Sequence, residues 1–176
     1  MLKFFLRKKE GLHCAFQKSG AGFTLLEMII AAFVVIIGLV GVFSLITQTT
    51  AFVNSSSQRL TAAYLAQEGI EIVRNIRDAN WLEQRDNPSI LWLDGLDQGE
   101  WEADYNDSFL SSYAERYLKF NGNFYSYDSG TDTKFKRKIT ITTQGADIIK
   151  VQIQMQWEDR GRTNQIIVQE NLYNWR

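Results

Sequence analysis

The longest apolar stretch of the chain lies near its N-terminus. Residues 28–46 are almost wholly apolar, and no charged residue occurs from Met28 to Gln58. About 20 consecutive apolar residues are enough to cross a bilayer as a helix, so the stretch predicts one membrane-spanning helix. One acid, Glu27, stands at its start. An ionised side chain in such a segment costs roughly 2.5–3.5 kcal/mol on insertion scales, so the Glu27 carboxylate needs an interaction that offsets this cost.

The helical period continues beyond the apolar stretch. Spacings of three and four separate Ala63, Ala66, Ile70, Val73 and then Ile76 or Arg77. These spacings are typical of one apolar helix face. We therefore predict a single helix from about Thr24 to about Asp78, apolar all round in residues 23–50 and amphipathic in residues 51–79.

Period-two alternation dominates the C-terminal third of the chain. It predicts three strands, at Phe135–Thr143, Ile149–Trp157 and Gln165–Tyr173. The Asn121-Gly122 pair lies between two aromatic, alternating runs and predicts a further hairpin. Alternation with one polar face indicates an antiparallel sheet that covers something on its apolar side. The apolar face of the helix is the obvious candidate.

No regular period is present between the helix and these strands. Pro88, Gly95 and Gly99 indicate loops in residues 80–114, and three tryptophans are expected to anchor these loops: Trp81, Trp92 and Trp101. The chain is thus predicted to have an α+β fold. Its globular domain would span residues 80–176, with the antiparallel sheet in residues 115–175.

A short basic leader precedes the apolar stretch. Residues 1–22 carry five basic residues and one acid. Basic residues before a membrane segment hold that end in the cytoplasm, so we predict a single-pass protein with a cytoplasmic N-terminus. An ordinary secretory signal has its apolar core before the cleavage site. Here the candidate junction, Gly22-Phe23, lies before the apolar core, and cleavage would leave the helix on the product.

Gly22, Phe23, the run Thr24-Leu25-Leu26 and Glu27 together form a recognisable order. The segment resembles the class III signal of prepilins, the subunit precursors of type IV pili and type II secretion pseudopili. The resemblance implies cleavage after Gly22 by a membrane-embedded prepilin peptidase. It also implies N-methylation of Phe23 by the prepilin peptidase/methyltransferase. It also implies the pilin fold, in which a long N-terminal helix packs on a C-terminal antiparallel sheet.

The resemblance also supplies a partner for Glu27. In assembled pili of this family, the corresponding carboxylate lies near the N-terminal amine of a neighbouring subunit. A buried charge is tolerated when it is paired with an opposite one. Glu27 is therefore expected to guide docking of the subunit, from membrane lipid into an extracytoplasmic filament of pilin or pseudopilin subunits.

A second, narrower resemblance lies at the end of the predicted helix. The segment from Ala63 to Glu71, continued by Arg74-Asn75-Ile76-Arg77-Asp78, is similar to the helix end of minor pilins of the pilus modification type. This resemblance implies a minor pilin as opposed to a major one.

Composition narrows the possible functions. Loss of residues 1–22 from the 176-residue chain would leave 154 residues with a net charge of −5, which does not suit a general nucleic-acid binder. The only histidine and the only cysteine, His13 and Cys14, belong to the leader. The product would therefore lack disulfides, Cys/His zinc sites and His- or Cys-based catalysis. No motif indicates Ser/Lys or carboxylate catalysis, so we predict neither an enzyme nor a cofactor.

A basic cluster occurs at the first predicted C-terminal strand, where Lys134, Lys136, Arg137 and Lys138 surround Phe135. Clustered Lys and Arg contact phosphates, and some minor pilins bind DNA, so this cluster is the candidate nucleic-acid contact. The alternative interpretation is a solvated strand whose lysines discourage edge pairing.

Acidic residues cluster in the predicted loops, at Asp94, Asp97, Glu100, Asp128 and Asp132. Calcium prefers several oxygen ligands, and some pseudopilins contain it. The spacing does not match an EF-hand loop, and ordinary surface acids are the expected interpretation, so no metal site is predicted.

The predicted function is that of a structural subunit, a minor pilin of a type IV pilus-like filament. One alternative is a type II secretion pseudopilin, which has the same signal and helix. Another is a pilus-tip adhesin or DNA-capture subunit that binds through residues 80–138. A third is a single-pass membrane protein unrelated to pili.

Overall fold

The computed structural model describes residues 22–175, so residues 1–21 of the predicted leader lie outside the described part. The described residues divide into two compact units, one ending at Thr47 and one beginning at Gln48. One helix, α1 (Leu25–Asp86), contributes residues to both units. It is long and apolar enough near the N-terminus to cross a membrane, and none of that stretch is buried. The predicted single long helix is thereby confirmed, and it fits a single-pass membrane protein.

The helix extends eight residues beyond the predicted end at Asp78, to Asp86. Trp81 continues the buried face and is only 3% exposed. The Arg77 guanidinium lies 4.4 Å from the centre of the Trp81 ring. Pro88, two residues after the helix, disfavours a helical conformation at Asn87. The polar residues near position 80 were therefore a misleading loop signal, because Trp81 packs as part of the helix.

The strands form two antiparallel sheets. Five strands make the larger sheet, in the order β2 (Ser111–Ser112), β1 (Gly99–Glu102), β6 (Phe135–Thr143), β7 (Ile148–Asp159) and β8 (Arg162–Tyr173). Three short strands make the smaller sheet, in the order β4 (Tyr125–Ser126), β3 (Lys119–Phe120) and β5 (Thr131–Asp132). The three predicted C-terminal strands are confirmed, and the helix packs on an antiparallel sheet in an α+β architecture.

The predicted Asn121-Gly122 hairpin is present, but its strands are only two residues long. Lys119 pairs with Ser126 and Phe120 with Tyr125. The Asn121 side-chain oxygen accepts hydrogen bonds from the backbone N–H groups of Asn123 and Phe124, at 3.0 and 2.9 Å. Asparagine side chains commonly close turns in this way.

Strand β1 was not predicted, because its sequence Gly-Glu-Trp-Glu has no apolar alternation. It pairs with β6 through Gly99–Trp101 and with β2 through Trp101 and Glu102. Glu102 is the buried member of the strand, at 1% exposed, and its carboxylate accepts a hydrogen bond from Arg116 Nε at 2.6 Å. The buried position of β1 is therefore filled by a carboxylate in an ion pair, where a strand normally has an apolar side chain.

The core lies between the C-terminal part of α1 and the larger sheet. The helix contributes Leu65, Ala66, Ile70, Val73 and Ile76, whereas β6 and β7 contribute Ile139, Ile141, Val151, Ile153 and Met155. Trp81 and Trp92 are buried and Trp101 packs against the same core. The prediction that these tryptophans anchor loops is confirmed for Trp92, whereas Trp81 belongs to the helix and Trp101 to strand β1.

We expect Gly130→Ala to destabilise the domain by about 2 kcal/mol or more. Gly130 has a φ of +125°, and a Cβ there would lie 2.6 Å from the backbone carbon and oxygen of Phe120. Gly145→Ala is the matched control, because Gly145 has a φ of +87° but no atom within 4 Å of a Cβ. Urea unfolding followed by tryptophan fluorescence would compare the two, and equal losses of stability would contradict the steric explanation.

Candidate functional site

The predicted processing site precedes the long helix. Gly22, Phe23 and Thr24 have no regular secondary structure, and α1 begins at Leu25. Phe23 is 76% exposed, and a Cβ on Gly22 would have no neighbour within 4 Å. The Gly22-Phe23 peptide bond therefore lies in an accessible, non-helical segment, as a protease substrate requires.

Thr24 caps the N-terminus of α1, a role that sequence reasoning did not assign. Its Oγ1 accepts a hydrogen bond from the Glu27 backbone N–H at 3.2 Å, and the Met28 N–H bonds the Thr24 carbonyl, also at 3.2 Å. A threonine followed three residues later by a glutamate is the sequence signature of a capping box. The signal was therefore present in the sequence at Thr24-Leu25-Leu26-Glu27.

Glu27 occupies the third helical position, in the first turn of α1. A carboxylate there interacts favourably with the positive end of the helix dipole. Glu27 is exposed, and no residue of the described range 22–175 forms an ion pair with it. The cap and the dipole offset only part of the cost of a charge in an apolar segment.

An uninterrupted apolar surface follows Glu27. Large apolar side chains from Met28 to Ile46 are each more than half exposed, and the helix continues without a break through Gly38 and Gly41. Thr47 Oγ1 donates to the carbonyls of Phe43 and Ser44 within the helix. Side chains on such a surface pack against lipid or against other apolar helices.

The basic cluster on β6 is divided between two faces of the sheet. Lys136 and Lys138 lie on the polar face of β6 and Lys134 lies directly before the strand, and each is partly exposed. Lys136 Nζ lies 4.6 Å from the centre of the Tyr117 ring. Lys138 Nζ lies 2.7 Å from Glu100 Oε1. Two of the three lysines are thus already engaged by this chain.

Arg137 is a correction to the predicted nucleic-acid contact, because its side chain is 0% exposed. The alternative interpretation of the cluster also needs correcting, since β6 is an inner strand between β1 and β7 and not an edge. The alternation of side chains along β6 could have predicted that Arg137 is buried. Arg137 shares its face with Phe135 and Ile139, which point into the core.

Arg137 joins the helix to β6, on which it lies, and to the segment that directly follows β1. Its Nη1 donates to Glu68 Oε1 at 2.7 Å and to the Leu65 carbonyl at 3.2 Å, and its Nη2 donates to the Ala103 carbonyl at 2.7 Å. Gly69 permits this close approach, since a Cβ there would lie 3.2 Å from Arg137 Cδ. The residue predicted to contact DNA therefore stabilises the packing of helix and sheet.

Tyr127 completes this buried network. Its hydroxyl donates to the Arg137 carbonyl at 3.2 Å. Burial raises the pKa of Tyr127 to about 12 from an ordinary value of 10.0, because the phenolate would lose its hydration.

The Tyr127 pKa predicts a loss of stability in strong base. The unfolded state releases the proton from about pH 10 while the folded state keeps it, so the free energy of unfolding should fall between about pH 10 and 12. Tyr127→Phe should reduce this slope without affecting stability at pH 7 by more than about 1.5 kcal/mol, the usual worth of one hydrogen bond. Urea unfolding at pH 8, 10 and 11 would measure both, and an unchanged slope would contradict the assignment.

The acidic residues predicted to lie in loops are partly in strands, with Glu100 in β1 and Asp132 in β5. Asp94 Oδ2 accepts from the Leu91 N–H at 2.9 Å, and Glu100 binds Lys138. Within residues 22–175, no group of three or more His, Cys, Asp or Glu side chains is arranged to hold a metal ion.

Comparison with protein-family models, with curated proteins and with solved structures finds no match for this chain. The functional assignment therefore depends on the N-terminal segment itself: an accessible Gly22-Phe23 bond, a capped helix start with Glu27, and an exposed apolar helix.

Proposed function

We propose that this protein is a structural subunit, a minor pilin, of a type IV pilus-like filament. It is made as a prepilin, cleaved after Gly22, N-methylated at Phe23 and assembled through the apolar part of α1. The observation that carries the proposal is the combination at the helix start. An accessible glycine-phenylalanine bond is followed within five residues by an unpaired carboxylate and then by a helix surface with no internal partner.

The energetics of Glu27 support assembly. In lipid, the carboxylate would remain an unpaired charge at the edge of an apolar helix, which is costly. Cleavage would make Phe23 the new N-terminus and create an amine at the start of every subunit. An amine of one subunit beside the Glu27 carboxylate of another would pair both charges. The same cut therefore produces the cation that the carboxylate lacks.

The packed α+β domain supports a structural role. Its ion pairs connect helix and sheet, as in Arg137–Glu68 and Arg74–Glu170, and its core is continuous from α1 to β7. A type II secretion pseudopilin would share all of these features, so it remains the alternative within the same class. Membrane anchoring with the N-terminus in the cytoplasm follows from the basic leader and belongs to the same proposal.

The N-terminal residue of the product tests the proposal. The chain should be expressed with and without a prepilin peptidase and its N-terminus determined by mass spectrometry. We expect methyl-Phe23 only when the peptidase is present, and loss of this product in a Gly22→Val variant, whose branched side chain crowds the bond to be cut. An intact Met1 in both cases, or a cut after Ile46, would contradict the proposal.

A further inference from the structure

Strand β8 forms an edge of the larger sheet and lacks the features that usually protect an edge. Among residues 22–175 no strand pairs with its outer side. The strand is 12 residues long and pairs in unbroken register with β7, without a bulge. It contains no proline and no lysine, and Thr163–Gln169 is uncharged. Natural edge strands are usually short, charged, bulged or covered.

The register determines which backbone groups of β8 face outward. The Asn174 N–H bonds the Asp147 carbonyl directly opposite, at 2.8 Å. Because hydrogen-bonded and non-hydrogen-bonded pairs alternate in an antiparallel ladder, even-numbered residues of β8 bond β7. The backbone N–H and C=O groups of the odd-numbered residues therefore point to the open side. These residues are Thr163, Gln165, Ile167, Gln169, Asn171 and Tyr173.

A groove lies beside this edge, between β8 and α1. Ala63, Gln67 and Ile70 line it from the helix, and Val168 lines it from the strand. A strand added to β8 would place alternate side chains over this groove, because side chains of paired residues lie on the same face of a sheet.

The groove carries a net negative charge at one end. Arg74 contacts both Glu71 and Glu170, with Arg74 Nη2 at 2.7 Å from Glu170 Oε2. One guanidinium between two carboxylates leaves one negative charge uncompensated. A lysine or arginine on an added strand, placed opposite Glu170, would complete the charge pairing.

We propose that the β8 edge binds an extended strand of a partner polypeptide by β-strand addition. The partner strand alternates apolar side chains, which occupy the groove beside Val168, with one cationic side chain opposite Glu170. The outward backbone groups of β8 supply hydrogen bonds, and the groove supplies selectivity.

A separate partner chain fits this edge better than β8 of a second copy. Antiparallel pairing of two β8 strands about a two-fold axis would reverse one domain relative to the other. The N-terminal ends of their packed helices, at Gln48, would then lie at opposite ends of the pair. Two chains anchored in the same membrane would not adopt this arrangement. The choice of partner therefore rests on the anchoring proposed above. The argument that the β8 edge is open does not depend on it.

A designed peptide tests the edge directly. The peptide is labelled, has nine residues and alternates valine and threonine, with lysine as its third residue. Antiparallel addition puts this lysine opposite Glu170. The fourth residue then lies opposite Gln169 and the sixth opposite Ile167. Binding to the full chain in detergent is measured by fluorescence anisotropy. N-methylation of the fourth and sixth residues, whose N–H groups face β8, should weaken binding at least tenfold. N-methylation of the fifth and seventh, whose N–H groups face away, should change it less than threefold. Glutamate in place of the lysine should weaken binding at least tenfold.

Ile167→Pro and Ile167→Thr form the matched variants of the protein. The Ile167 N–H faces the open side, so proline there removes an edge donor without breaking the ladder to β7. Ile167→Pro should abolish peptide binding while near-ultraviolet circular dichroism stays unchanged, and Ile167→Thr should bind normally. Equal binding of the two methylated peptides, or no saturable binding by a folded chain, would overturn the proposal. A dimer of the chain that Ile167→Pro dissolves would overturn the choice of partner. Because the assay requires neither cleavage nor filaments, its failure leaves the pilin proposal unaffected.

Discussion

Glu68→Ala should lower the free energy of unfolding by about 3 kcal/mol. The substitution leaves the Arg137 guanidinium, which is fully buried, without its only carboxylate partner among the described residues. Removing one member of a buried ion pair typically costs 3–5 kcal/mol, because an uncompensated charge stays in the interior. The lower end applies here because the Glu68 side chain is 33% exposed, which lets water solvate part of the site. Urea unfolding monitored by tryptophan fluorescence would measure the loss.

Glu71→Ala provides the matched control on the same helix. Glu71 also contacts an arginine, but Arg74 keeps Glu170 as a second partner and both side chains are partly exposed. Exposed ion pairs contribute about 0–1 kcal/mol, so this variant should be nearly neutral. The double variant Glu68→Ala/Arg137→Leu should recover part of the lost stability, since an apolar side chain needs no counter-charge. Similar losses for Glu68→Ala and Glu71→Ala would contradict the buried role of Arg137.

Glu27→Gln should reduce incorporation of the subunit into filaments by at least tenfold while leaving cleavage after Gly22 intact. Glutamine preserves the size of the side chain and a capping-box residue in the first turn, but it removes the negative charge. If the carboxylate pairs with an amine in an apolar filament core, loss of the pair costs several kcal/mol, and each 1.4 kcal/mol corresponds to a factor of ten. The ratio of protein in sheared filaments to protein in the membrane would measure the effect.

Thr24→Ser is the control for helix capping, because serine retains the hydroxyl that accepts from the Glu27 N–H. Its incorporation should match that of the unaltered chain. Incorporation of Glu27→Gln at the same level as Thr24→Ser would show that the charge does not guide docking. Loss of cleavage in Glu27→Gln would instead assign Glu27 to recognition by the peptidase.

The C-terminal strands were predictable from the sequence because the two faces of each differ in burial: alternate residues are buried in β6 and β7 and mostly half-buried in β8. Val151, Ile153, Met155 and Trp157 alternate with polar residues along β7, and this alternation reports burial directly. The apolar run in α1 was predictable for a different reason, since its length and composition alone show a helix apolar enough to cross a membrane. Local pattern is sufficient where every buried position is apolar.

The buried positions that sequence reasoning missed are polar ones. Glu102 on β1 and Arg137 on β6 are both buried, and both depend on a partner remote in sequence, Arg116 and Glu68. A charged residue in a strand normally indicates a solvent-facing position. Only the approach of the helix, permitted by Gly69, converts Arg137 into an interior residue.

The sequence by itself therefore determined the membrane-compatible helix and the alternating strands, because each is encoded by neighbouring residues through helical or strand periodicity. The tertiary structure decided that Arg137 is buried, that Trp81 prolongs the helix, and that β8 is an open edge beside a charged groove. These features depend on which segments meet in space. Burial of a charge or exposure of a strand edge depends on packing between segments remote in sequence, which the helical or strand periodicity of one segment cannot predict.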